Sequence, residues 1–314
     1  MGAPAGRAPE VRVAVAAAAQ LGESPVWHPG EQALYYCDIA GHALHRFDPR
    51  TGDLRHWRFV TDIASIAPLP GGQWLLAMRD GLWRFEPASG HRVCLAPPPY
   101  DPAEERFNDG KCDPQGRFWA GTIYEPREPA LASVYCWWRG ALTQRFGGLT
   151  VANGLAWSPD GRTMHWSDTK AHTVFAAAFD PLTGGVGAAR VFARFAAKEP
   201  GNALAGYGGR PDGAAMDAEG CYWVAMFEGQ RLLRLSPTGQ TLAEVPLPVR
   251  CPTMPCFGGP DLKTVFVTTA RQNRPAAELI EQPSAGCVLA FDVDVPGLPV
   301  NFAAPGGGPL LTGR

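Results

Sequence analysis

Short runs of alternating apolar and polar residues recur along the chain, rich in aromatic and β-branched types and ended by Gly or Pro. Ala33-Leu34-Tyr35-Tyr36, Trp74-Leu75-Leu76, Tyr222-Trp223-Val224 and Thr264-Val265-Phe266-Val267 are examples. Such runs predict β-strands, because an amphipathic helix would repeat its apolar positions every three to four residues. Each run follows a turn of small, Pro, Asp and Gly residues, as in Asp113-Pro114-Gln115-Gly116 before Phe118-Trp119 and Ser158-Pro159-Asp160-Gly161 before Met164-His165-Trp166. Anchored on the second turn residue, the copies fall at 29, 70, 114, 159, 218 and 260, in steps of 41, 44, 45, 59 and 42. Steps of 40 to 45 residues are the period of a four-stranded propeller blade.

A second element follows each copy of the first. It is an alternating strand that closes in a turn, at residues 43–48, 81–86, 133–137, 173–180, 231–235 and 287–292. Two elements counted six times in one order predict an all-β fold, a six-bladed β-propeller with four-stranded blades. The strand Val11 to Val15 precedes the first copy, and little strand remains after residue 292. This N-terminal strand is expected to complete the last blade and remove an open sheet edge. The expected organisation is a tail at 1–10, one propeller domain at 11–300 and a tail at 301–314.

Composition agrees with many turns: the 314 residues include 37 Gly and 31 Pro, with 46% apolar residues for a core. The net charge of −2 is spread without a basic block, so neither nucleic acid nor a membrane surface is an expected partner. No apolar run is long enough to span a bilayer, and Arg12 interrupts the apolar stretch near the N-terminus, so a cytoplasmic protein is expected. The eight Cys show no CxxC spacing and are expected to be buried, reduced thiols, with Cys251 and Cys256 the nearest pair. GxSxG, HExxH, Walker and GxGxxG motifs are absent, and the seven His are read as structural.

In a propeller the innermost strands line a central channel, so one register position in each blade forms a ring. Six residues before each anchor stand Glu23, Ala64, Asn108, Asn153, Asp212 and Met254. Four of these are carboxylates or carboxamides, and three precede or nearly precede Gly: Asn108-Asp109-Gly110, Asn153-Gly154 and Asp212-Gly213. Each such dipeptide alone reads as a turn. Their common register points instead to a hard-cation site built from oxygen donors. Without His or Cys in the ring, calcium, magnesium or manganese is favoured, while catalytic zinc or iron(II) stays open.

The segments Leu21-Gly22-Glu23-Ser24-Pro25-Val26-Trp27, Arg106-Phe107-Asn108-Asp109-Gly110-Lys111, Asn153-Gly154-Leu155-Ala156-Trp157-Ser158 and Pro211-Asp212-Gly213 resemble signatures of the regucalcin (senescence marker protein 30)/gluconolactonase family. So does Cys256-Phe257-Gly258-Gly259-Pro260-Asp261-Leu262-Lys263 with Thr268-Thr269-Ala270-Arg271, and the likeness runs from about Leu21 to Val295. Its flavour is that of bacterial sugar lactonases. The resemblance implies a six-bladed propeller, one divalent metal on Glu23, Asn153 and Asp212, and hydrolysis of aldonolactones such as glucono-, xylono- or arabinolactone to the sugar acid. It also implies that Arg106 and Asn108 contact substrate. Glu125 falls where relatives carry an acidic residue near the substrate, although Pro126 follows it here.

On this reading the cation polarises the lactone carbonyl as water adds, Asp212 is the first candidate base and Glu23 the second. A non-catalytic calcium-binding regulatory protein, or a propeller hydrolase of aryl esters or organophosphates, is the alternative. A monomer or weak homodimer is expected. The long step from 159 to 218 marks an insertion at 185–211 leading into Asp212, with Tyr207 and Arg210 expected near the channel mouth.

Overall fold

The aromatic and β-branched runs form the second strand of each blade, and neighbouring blades cover both of its faces. Ala33–Asp38 and Trp74–Met78 are buried throughout, whereas the outermost strands Asp53–Arg58 and His91–Ala96 are largely exposed. This inside-to-outside gradient is that of blades packed face to face around an axis. The computed structural model describes residues 9–198, 204 and 206–304. Expectations for residues 1–8 and 305–314, and for Glu199-Pro200-Gly201-Asn202 of the insertion, lie outside the described residues.

Six antiparallel sheets follow one another in chain order. Their innermost strands are Gly22–His28, Ile63–Pro68, Glu105–Cys112, Ala152–Trp157, Arg210–Met216 and Pro252–Gly258, taken here as blades 1 to 6. The expected closure is present: Arg12–Val15 pairs antiparallel with Val288–Asp292 and completes blade 6. Blade 4 departs from the repeat. Its third strand, Thr173–Asp180, pairs outward with both Gly185–Val186 and Arg190–Arg194. Part of the expected insertion is thus the blade's own fourth strand, and the loop proper begins after Arg194.

The recurring turn has a packing role. Asp113 accepts from Trp119 Nε1 at 3.1 Å and from Arg117 at 3.0 Å. Asp217 repeats this with Trp223 Nε1 at 3.0 Å and Arg234 at 2.8 Å. Each Asp satisfies an indole N–H that burial would otherwise leave unpaired. Trp119 then packs across the blade boundary on Trp157 and Phe179, with ring centroids 6.0 and 5.7 Å apart. Losing one such side chain costs about 3–5 kcal/mol.

The C-terminal segment crosses the far end of the channel. Leu298 N donates to Met216 O at 3.0 Å, Asn301 Nδ2 to Cys112 O at 3.2 Å, and Ala303 N to Pro68 O at 2.8 Å. Residues 301–304, assigned from sequence to a tail, therefore pack beneath blades 2 and 3. All eight Cys are free thiols, seven of them buried. Among the described residues no helix is long and apolar enough to cross a membrane.

Candidate functional site

All six ring residues lie on innermost strands, and a shift of register interrupts each of those strands at or beside the ring position. In blade 3, Phe107 pairs with Thr122 and Gly110 with Ala120, so Asn108 and Asp109 together face one residue. Such bulges bend a strand and re-aim its side chains. Here they lie at one depth around the axis, which turns ordinary strand residues into a convergent set.

The entries to the innermost strands of blades 1 and 4 are clamped. Asp38 accepts from Gln20 N and Leu21 N, both at 3.0 Å, just ahead of Glu23. Asp168 accepts from Thr150 N at 3.0 Å, just ahead of Asn153. Gly154 follows Asn153 at φ 65°, and a Cβ there would sit 2.2 Å from Tyr222 Oη. The Tyr222 hydroxyl donates to Gly154 O at 2.7 Å and ties blade 5 to the bulge.

Four of the residues expected at the site form one hydrogen-bonded line. Arg106 Nη1 donates to Asn108 Oδ1 at 2.9 Å, Asn108 Nδ2 to Asn153 Oδ1 at 2.8 Å, and Asn153 Nδ2 to Asp212 Oδ1 at 2.5 Å. Thr169 Oγ1 accepts a second bond from Asn153 Nδ2 at 2.8 Å. All four residues of the line are buried, as is Glu23, which is 7% exposed. The carboxylate of Glu23 accepts only from Ser24 N, at 3.2 Å, among the described residues. Glu125 sits apart from the line, on the rim. Its two oxygens accept from Arg79 at 2.8 and 3.0 Å, and Arg106 Nε is 3.7 Å away.

The electrostatics of the centre favour a cation. Burial, with the charges of Asp212 and Asp109, holds the Glu23 carboxyl well above the usual carboxylate range. Burial pushes Asp212 up to about 8, opposed by Arg210 and reinforced by Asp109. Neither carboxylate forms an ion pair with Lys or Arg among the described residues, and buried carboxylates without a counter-charge are costly. A divalent cation would supply that counter-charge, and two carboxylates with a carboxamide are hard oxygen donors. The residues present therefore fit such an ion. Among the described residues no three His, Cys, Asp or Glu side chains gather as a metal cluster; the set reaches three only through the amide of Asn153.

The sequence reading passed over Asp109 and Lys111. Asp109 is 3% exposed, and its Oδ1 has no partner while Oδ2 accepts from Leu155 N at 2.9 Å. Burial raises its pKa and lowers that of Lys111, whose Nζ donates to Ala214 O at 2.7 Å. The available signal was a charged residue inside a segment that must be buried. A cavity of about 240 Å³ lies at the other end of the channel, lined by Trp27, Ile66, Trp157, Met216, Phe257 and Leu298 among others. It is mostly apolar, with Lys111 and Asn301 also in its lining, and it meets the ring only at Met254.

A family described as SMP-30/Gluconolactonase/LRE-like region matches residues 21–271, which include every ring residue. This chain belongs to that family. Within the family, it is 42% identical over 280 residues to 6-deoxy-6-sulfogluconolactonase of Pseudomonas putida, covering 88% of this chain and 92% of the relative. It is 33% identical over 293 residues to regucalcin of Xenopus laevis, covering 91% and 94%. Among solved structures, a calcium-binding regucalcin of Agrobacterium tumefaciens superposes with a TM-score of 0.88 at 27% identity, over 94% of this chain and 97% of that one. The SMP-30/gluconolactonase membership agrees with the six-bladed fold.

Proposed function

We propose that this chain is a sugar lactonase, a carboxylic ester hydrolase that opens aldonolactones to the sugar acid with one divalent cation held by Glu23, Asn153 and Asp212. The observation that carries the reading is a pair of buried carboxylates without an ion-pair partner among the described residues, Glu23 and Asp212, the latter joined by Asn153 and Asn108 to a buried Arg106. The lactonase relative at 42% identity supports the substrate class. The cation, when bound, supplies a Lewis acid for the lactone carbonyl.

This chain's own residues do the rest. Asp212 uses Oδ1 to accept from Asn153, which leaves its second oxygen to take a proton from the attacking water. The water oxygen bonds to the carbonyl carbon, the ring C–O bond breaks, and the proton passes to the ring oxygen as it becomes a hydroxyl. Glu23 is the second candidate for this proton. Arg106 and Asn108 hydrogen-bond sugar hydroxyls and hold the lactone against the base. Burial lowers the Arg106 pKa, while Asp62 and Glu125 oppose that shift, so the guanidinium remains a charged donor.

A purely calcium-binding role needs the carboxylates but gives no use to the Arg106–Asn108 arm. Hydrolysis of a panel of glucono-, xylono- and arabinolactones by metal-stripped and refilled protein separates the two. Metal-dependent acid release is the expected result. Tight calcium binding with no acid release from any lactone overturns the lactonase reading.

A further inference from the structure

Two positions before each ring residue lies a second tier, nearer the mouth: Leu21, Asp62, Arg106, Val151, Arg210 and Pro252. Residues two apart on a strand share a face, so Arg106 and Arg210 belong to the same faces as Asn108 and Asp212. The two arginines are matched in register but not in commitment. Arg106 Nη1 donates to Asn108 Oδ1 and to Phe107 O, each at 2.9 Å. Arg210 Nη1 lies 3.1 Å from Glu228 Oε2, yet that oxygen accepts no aligned hydrogen bond. The Phe227 ring backs the Arg210 guanidinium at 5.0 Å and leaves its N–H edge uncovered by that ring.

Charge around Glu228 does not balance. This one buried carboxylate faces Lys198 at 3.5 Å, Arg210 at 3.1 Å and Arg274 at 3.0 Å. Of the three, among the described residues only Arg274 has a second carboxylate, Glu278 at 2.7 Å. Arg127 adds a further cation from the turn that follows the second strand of blade 3. Its N–H donates to Tyr124 O at 2.9 Å, and its carbonyl accepts from Lys170 Nζ at 3.5 Å. Its guanidinium forms no ion pair among the described residues. Burial and the charge of Arg210 push the Arg127 pKa down, while Glu125 and then Asp212 pull it back. With the negative charge of Glu23 and Asp212 neutralised by a cation, Glu228 and Glu278 balance two of the four cations Lys198, Arg210, Arg274 and Arg127, and two positive charges remain among the described residues.

We infer that Arg210 forms an oxyanion subsite at the channel mouth, with Arg127 as a second cation, and that the lactone carries a sulfonate, phosphate or carboxylate on a carbon away from its carbonyl. The inference rests on the lactonase reading and names the substrate class for it. Guanidinium forks bind such oxyanions bidentately, which Lys or Gln cannot reproduce. Arg106 holds the reacting end through Asn108, while Arg210 holds the charged end.

The test compares kcat/KM of the metal-loaded enzyme on gluconolactone with kcat/KM on gluconolactones carrying a sulfonate or a phosphate at the exocyclic carbon. In the wild type the charged-to-neutral ratio is expected to exceed about tenfold, and added salt lowers it. Arg210→Gln lowers that ratio by about 10- to 100-fold, Arg210→Lys by less, and Arg127→Gln by a smaller factor. The sulfonate and phosphate arms identify which oxyanion the subsite takes. A wild-type ratio near one, or a ratio that Arg210→Gln leaves unchanged, overturns the inference while the lactonase reading stands. Calorimetric binding of the sulfonated sugar acid against gluconate gives a readout without turnover. If no lactone is hydrolysed, the lactonase reading falls, and this binding decides the subsite alone. Preference for the sulfonated acid that is lost in Arg210→Gln sustains it, and equal binding overturns it.

Discussion

The two ends of the central channel are made by the same six strands, yet one is dominated by buried charge and the other by apolar side chains. At the end where the strands begin, Glu23, Asn108, Asn153 and Asp212 converge with carboxylates held above their usual pKa range. At the end where they finish, Trp27, Ile66, Trp157, Met216 and Phe257 line a mostly apolar cavity under the C-terminal segment. The first end holds buried charge that costs stability, and the second buries apolar surface that contributes it. One strand thus divides its length between a site and a core, with a bulge near the boundary.

Substitution at each end should separate the two roles. The largest effect is expected from Asp212→Ala: a loss of kcat for lactone hydrolysis of about a thousand-fold or more. Because Asp212 is a buried carboxylate without an ion-pair partner among the described residues, the same change should leave the metal-free protein no less stable in a thermal melt. Unchanged turnover removes Asp212 from the chemistry, and a large drop in metal-free stability removes the strained-charge account of the mouth.

Phe257→Ala sharpens the contrast from the other end. Phe257 is 5% exposed and packs at 5.9 Å on Trp223. Its truncation is expected to cost about 3–5 kcal/mol in denaturant unfolding, with kcat/KM near the wild-type value. A loss of activity out of proportion to unfolding would couple the two ends.

A smaller effect concerns pH. His165 lies within blade 4, edge-on to Phe192 at 4.7 Å, and burial pushes its pKa down to about 4, with Arg190 adding to the shift. A lowered histidine is neutral in the fold, while the unfolded chain takes up a proton near the ordinary value of 6.5. Its contribution is therefore complete above about pH 6.5 and is lost as pH falls toward 4. His165→Phe should remove on the order of 3 kcal/mol of the fall in stability between pH 7 and 4, read from unfolding curves of the two proteins. Parallel pH profiles would contradict the shift.

Much of this arrangement was legible in the chain. The turn and strand copies at regular steps carry the blades because every blade repeats the same burial problem. The six-residue offset finds the ring because register is the one geometric quantity that a repeat preserves. The bulges escaped the reading, since strand alternation does not record where a hydrogen-bond ladder slips. Asp109 was missed for that reason: ordinary alternation points it away from the side chain of Asn108. Glu125 was read through its position in a family segment, but its bond to Arg79 joins residues far apart in sequence. The split fourth strand of blade 4 lay hidden in the insertion because Gly185–Val186 is too short to leave a pattern.

The account depends most on one cation binding at the mouth. Metal content should be measured alongside turnover as metal-stripped protein is titrated with calcium, magnesium, manganese and zinc. The prediction is one ion bound per chain, lactone hydrolysis rising in proportion to occupancy, and both lost in Asn153→Ala. Full turnover in the stripped protein, or an ion bound equally well by Asn153→Ala, would contradict it.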